Sequence, residues 1–137
     1  MAACCRWNFA GSETRALPAL PTDPRWHEVV AMSARHRVQG LVWSALAQHA
    51  ERLPDHVKST LSSGARSIAA INLAITRECS ELLEEFEKAG VPLLFVKGLT
   101  VGALAYRSPM LKMSWDIDLL IDARDLSVAA RLLREPG

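Results

Sequence analysis

The sequence predicts an α+β protein, with a helical lobe over residues 1–90 and a strand-helix-strand-helix unit over residues 91–137. Apolar positions recur every three or four residues from Trp26 to Phe86, which is the repeat of a helix face. After Gly90 that repeat gives way to short apolar runs bounded by glycine, proline and charge, which read as strands. At 137 residues, 50% of them hydrophobic, the chain can bury one core of respectable size but hardly two independent ones.

In residues 1–22, Pro18 and Pro21 break any helix begun between Cys4 and Leu17. Asp23-Pro24 reads as a cap with proline in the first turn, launching a helix whose Trp26, Val29 and Val30 share a face. Val38, Leu41, Val42, Ala45 and Leu46 make the stripe of a second helix, and Pro54 marks its exit. From Asp55 to Lys88 the stripe continues through Leu61, Ile68, Ile75, Cys79 and Phe86, as one long helix or two joined near Ser63-Gly64. Its charges answer one another on a solvated surface, Arg77 with Glu81 and Glu84 with Lys88, each four residues apart. Gly90 supplies a left-handed cap.

Val91 to Val96 then forms the first strand, with Pro92 confined to its entrance or edge. Gly98 turns the chain into a short helix ending near Tyr106, and Arg107-Ser108-Pro109 forms a loop. Asp116 to Ile121 is the second strand. Asp122 or Asp125 caps a last helix with Leu126, Ala129, Ala130 and Leu133 on one face.

Composition narrows the function. Sixteen basic against fifteen acidic residues leave a net charge of +1, so no global field argues for gripping a nucleic-acid backbone, and a small-molecule or protein substrate fits better. No apolar stretch approaches the roughly 20 residues of a membrane helix, and the opening MAACCRWNFAG lacks a signal-peptide pattern, so a cytoplasmic location is expected. Cys4, Cys5 and Cys79 form no C-x-x-C pair and read as free thiols of a reducing compartment. His27, His36, His49 and His56 have no partner at zinc-ligand spacing and read as structural or solvated.

The chemistry concentrates in Lys97 to Ile121, KGLTVGALAYRSPMLKMSWDIDLLI. On a strand, Asp116 and Asp118 point to one face with Cβ atoms roughly 7 Å apart. Two anions side by side repel each other and resist desolvation, and a bound cation removes both costs. A pair of solvated acids at a strand entrance is the plainer alternative, and spacing alone leaves both open.

Phe95-Val96-Lys97-Gly98, Ala103-Leu104-Ala105-Tyr106 and Asp116-Ile117-Asp118-Leu119-Leu120-Ile121 together resemble the uncharacterised bacterial nucleotidyltransferases of the DNA polymerase β-like superfamily. The stretch from Trp26 to Leu46, including ARHRVQGLVWSAL, resembles that family's helical leader. The resemblance implies a helical lobe packed on the first half of a nucleotidyltransferase palm with a mixed sheet. It also implies transfer of a nucleoside monophosphate from a nucleoside triphosphate to an acceptor that the letters do not identify. Asp116 and Asp118 would be the catalytic carboxylates and the ligands of Mg²⁺ or Mn²⁺, an ion that takes one or two protein carboxylates and fills its other positions with phosphate and water.

Four further positions are implied to face the nucleotide. Gly98 matches the glycine of the superfamily's Gly-Ser turn, where a residue without Cβ lets backbone N–H groups approach a phosphate, although an ordinary strand-to-helix turn is the simpler reading of that glycine alone. Leu99 stands in the serine position, and Thr100, one residue later, is the candidate substitute hydroxyl. Lys97 brings a cation to the phosphates or ends a strand in water. Lys112 stands where the family more often has arginine, keeping the charge and losing the bidentate fork. Trp115, where a small residue is usual, packs beside the strand or stacks on a base. His36 and Arg37 fall between two helices, where a histidine that satisfies a carbonyl or touches the other lobe is expected rather than a catalytic one.

The superfamily commonly adds a third acid from a following strand. Asp122 lies about 13 Å beyond Asp118 along an extended chain, too far to share its ion. The expectation is therefore a fragment or unusually short member that binds metal-nucleotide weakly and shows no measurable transfer. Two rival readings stand beside it, a non-catalytic nucleotide-binding remnant and a helical interaction module presenting Asp55 to Lys88.

Overall fold

The computed structural model describes Cys4, Cys5 and residues 25–134. The expected breaks at Pro18 and Pro21 and the cap at Asp23-Pro24 lie outside the described residues. Helix α1 (Trp26–Arg35) and helix α2 (Gln39–Leu46) meet at a tight Schellman closure. Val38 N–H donates to Ser33 O at 2.9 Å and Arg37 N–H to Ala34 O at 3.0 Å. Arg37 holds the left-handed position, φ 57°, that glycine usually fills, which costs a side-chain-bearing residue roughly 1 kcal/mol.

A 3₁₀ segment (Ala47–Arg52) leads to α3 (Asp55–Lys88), one unbroken helix of 34 residues. The break considered near Ser63-Gly64 does not occur. Glycine in a helix costs about 1 kcal/mol relative to alanine, less than the burial of Leu61 and Ile68 on either side returns. The helix ends in a second Schellman closure, Val91 N–H to Phe86 O at 2.9 Å and Gly90 N–H to Glu87 O at 3.0 Å, with Gly90 at φ 69°. Phe86 and Val91, the residues flanking that closure, are buried in the same core.

Strand β1 (Leu93–Phe95), helix α4 (Leu99–Tyr106), strand β2 (Leu119–Ile121), a 3₁₀ turn (Ala123–Asp125) and helix α5 (Leu126–Leu132) complete the order. The α+β class and the strand-helix-strand-helix sequence are as expected; the sheet is not. Among the described residues it is a single antiparallel pair rather than a mixed sheet, because the chain rejoins the sheet at the end it left, Leu119 opposite Phe95. The second strand is also shorter than Asp116 to Ile121. The Lys97-Gly98 turn carries the first strand's continuation away, so Asp116 and Ile117 have no ladder partner and only Val96 N–H to Asp118 O, 3.1 Å, extends the pairing.

Two small cores lie along α3. Val42, Ala45 and Leu46 of α2 pack with Leu53, Val57 and Leu61 in the first. Phe86, Val91 and Ala129 centre the second, against one face of the sheet. Helix α5 turns Val128, Ala129 and Leu132 inward, whereas Leu126 and Leu133 of the expected face are exposed. The preceding 3₁₀ turn, with three residues per turn, shifts the phase of the helix that follows. No helix among the described residues is long and apolar enough to cross a membrane.

Candidate functional site

Residues 107–118 have no regular structure, yet three helices hold them. Asn72 of α3, fully buried, donates through Nδ2 to the carbonyls of Pro109 at 2.6 Å and Lys112 at 2.8 Å, and its Oδ1 accepts from Ser114 N–H at 3.0 Å. One side chain thus satisfies three backbone groups of the segment that ends in Asp116. On α2, a Cβ added to Gly40 would run into the Leu111 carbonyl. On α4, a Cβ at Gly102 would meet Pro109 Cα at 3.3 Å. From the turn between α1 and α2, the Arg37 guanidinium sits 5.1 Å from the centroid of the Trp115 ring, a cation–π contact on a ring that stays 60% exposed. His36 is exposed at the end of α1, so the bridge to the second unit falls to its neighbour.

Gly98 has φ 52° and ψ −114°, the conformation of the first central residue of a type II′ turn, closed by Thr100 N–H to Lys97 O at 3.1 Å. A side chain there is doubly opposed, by the positive φ and by Ser114 Oγ, 3.1 Å from where a Cβ would sit. The turn that leads into α4 therefore rests on the segment that Asn72 holds. Thr100 Oγ1 donates to Phe95 O at 3.2 Å, tying the first turn of α4 to β1. Its proton is engaged, so towards a phosphate this hydroxyl is an acceptor only until that bond is exchanged.

An open cavity of about 400 Å³ lies between α3, α4 and the acid pair. Lys97, Thr100, Asp116 and Asp118 line it; Gly98 and Lys112 do not. Lys97 Nζ is 3.1 Å from Asp118 Oδ1, with the lysine side chain 70% exposed and the aspartate 30%. Asp116 is exposed and makes no ion pair among the described residues. The opposite wall is apolar, with Ile75, Cys79 and Leu83 of α3 presented at intervals of four residues. Burial first, and then the Glu78 charge, pushes the Cys79 thiol above its ordinary value, so it remains neutral.

The donor chemistry at the mouth suits a hard cation. Two carboxylates supply the oxygen ligands that Mg²⁺ prefers, and among the described residues no group of three His, Cys, Asp or Glu side chains is placed to enclose an ion. An ion there would complete its shell from water or from the oxygens of a substrate.

Asn72 is the residue that sequence reading missed. Its signal is a polar side chain four residues after Ile68 on the buried face of α3, where a hydrophobic residue continues the pattern and where burial demands partners. Those partners lie 37 to 42 residues away, out of reach of any periodicity argument.

A family model described as an uncharacterised nucleotidyltransferase matches residues 22–137. No curated protein and no solved structure matches the chain significantly.

Proposed function

We propose, because the chain belongs to this family of uncharacterised nucleotidyltransferases, that Asp116 and Asp118 hold Mg²⁺ or Mn²⁺ against a nucleoside triphosphate whose nucleoside monophosphate passes to an acceptor. The observation that carries the reading is the convergence of Asp116, Asp118 and Lys97 on one cavity mouth beside a glycine turn. Such a cation, when bound, offsets the negative charge that develops on the phosphate oxygens. Lys97 moves from Asp118 to the triphosphate once the carboxylate is engaged elsewhere, so one ammonium serves the site in both states. Gly98 holds the positive-φ turn that sets Lys97 and the start of α4 at the cavity wall. In the transfer, an acceptor oxygen forms a bond to the α-phosphorus, the bond to the bridging β-phosphate oxygen breaks, pyrophosphate departs and the acceptor's proton leaves to water.

Titration calorimetry tests the site. Mg²⁺ is expected to strengthen nucleoside triphosphate binding by about tenfold or more in the wild type and to have no such effect in Asp116→Ala with Asp118→Ala. Equal enhancement in both proteins removes the two acids from the site. In metal-free buffer the double variant should melt within about 1 kcal/mol of the wild type, since it loses one exposed ion pair and one like-charge repulsion.

A further inference from the structure

The cavity behind the acid pair is poor in polar groups able to read a ligand, and the reason is specific. Its hydroxyls have already donated: Thr76 Oγ1 to Asn72 O at 2.7 Å, Ser80 Oγ to Thr76 O at 3.1 Å and Thr100 Oγ1 to Phe95 O at 3.2 Å. The remaining wall is apolar, with Ile75, Leu83, Leu99 and Leu104 among its residues, together with the neutral Cys79 thiol. Leu104 is 74% exposed and Leu83 39%, so large apolar surface stands in water at the cavity rim. Only at the mouth, where Lys97, Asp116 and Asp118 lie, is there charge. A space of about 400 Å³ falls within the range of small-molecule sites, roughly 300–1,000 Å³.

We propose that this cavity is the acceptor subsite and that it takes a small alcohol with an apolar, aliphatic or aromatic body, whose hydroxyl reaches the mouth at Asp116 and Asp118. The assignment rests on the nucleotidyl-transfer reading for its hydroxyl end and on the cavity wall for its body. A nucleobase is the poorer occupant. The carbonyl and ring-nitrogen acceptors on its edge would lose water to walls whose hydroxyl protons are spent. A sugar phosphate is poorer still, since its hydroxyls and charge would meet Ile75 and Leu83. An apolar body loses nothing on entry and covers the leucines now facing water.

The probe is 4-phenyl-1-butanol, added to methyl-labelled protein without metal or nucleotide and followed by the NMR shifts of Ile75, Leu83 and Leu104 methyls. Saturable shifts of these methyls, absent with glycerol and with glucose 6-phosphate, are expected. Leu83→Lys, a change at a position already 39% exposed, should weaken the probe by about tenfold. Leu104→Lys is the second variant, at the more exposed position, and should act the same way. Equal shifts with glycerol overturn the proposal. So do shifts with the magnesium complex of ATP in the absence of shifts with the alcohol, which would give the cavity to the base. Because the alcohol is tested without metal, a failure of Asp116 and Asp118 to bind metal-nucleotide is read separately, by calorimetry.

Discussion

Lys97 and Asp118 form an ion pair at 3.1 Å across the cavity mouth, joining the end of the first strand to the start of the second. The pair makes the lysine a competitor of any cation that binds the acids, and in the proposed reaction the displaced ammonium would turn to the phosphates. Removing it has opposite effects on two measurable affinities. In Lys97→Met, bare Mn²⁺ should bind up to about fivefold more tightly, because an exposed pair worth at most about 1 kcal/mol no longer opposes it. The Mn²⁺ complex of a non-hydrolysable nucleoside triphosphate should bind more weakly by a similar factor. Paramagnetic titration with and without the nucleotide reads both; parallel changes would place Lys97 outside the phosphate site.

Asn72→Ala strands two carbonyls and one N–H that now share a single buried side chain. Urea denaturation should show a loss of about 2–5 kcal/mol, the range for breaking a buried hydrogen-bond network. Asn72→Asp keeps the acceptor for Ser114 N–H and sets a charge against the carbonyls of Pro109 and Lys112. That carboxyl is held above its ordinary value in the folded state, so the stability it contributes is present below the unfolded value and lost as pH rises through the folded one. The aspartate variant should therefore approach wild type on acidification and fall away at neutral pH, a trend that alanine lacks.

Gly40 and Gly64 should respond in opposite ways to alanine. At Gly40 the new methyl meets the backbone carbonyl of Leu111, which cannot turn aside without moving the segment Asn72 holds. A cost of about 1–3 kcal/mol is expected there. At Gly64 it meets only the amide end of the Gln39 side chain, which can swing away, while the helix gains about 0.5–1 kcal/mol. Melting temperatures of the two variants give the comparison directly.

Burial raises the Cys79 thiol above its ordinary value, and the thiolate is the species that reacts. Its alkylation by iodoacetamide should lag a model thiol at pH 8 and accelerate only at a higher pH than that thiol requires. Because Cys79 lines the cavity, saturating 4-phenyl-1-butanol should slow the reaction further. Mass-spectrometric peptide mapping separates it from Cys4 and Cys5, which burial also raises.

Where sequence and structure agree, the governing interactions are local. The stripe from Val57 to Phe86 shows a helix because neighbours three and four apart share a face, and Gly90 stops it because the closing turn needs a left-handed residue. The turn at Gly98 was legible for the same reason. What was not legible depends on distant contacts. The D-x-D was expected on a strand, but a strand exists only where a partner runs beside it, and the turn at Gly98 removes that partner from Asp116 and Ile117. The inward face of α5 depends on a 3₁₀ turn whose phase the apolar letters do not carry. Arg37 was expected only as a residue between two helices, and its place over Trp115 follows from a fold that brings residues 37 and 115 together.

Helix α3, about 51 Å long at 1.5 Å per residue, enters both cores and carries Asn72 between them. Fraying from either end would have to pass through the three bonds of Asn72 before reaching the other core, so the two cores share one unfolding event. Amide hydrogen exchange should find a single protection plateau running from Leu61 to Phe86 and extending to Ser114, a backbone N–H in an irregular segment that exchanges as slowly as those of the helix that holds it.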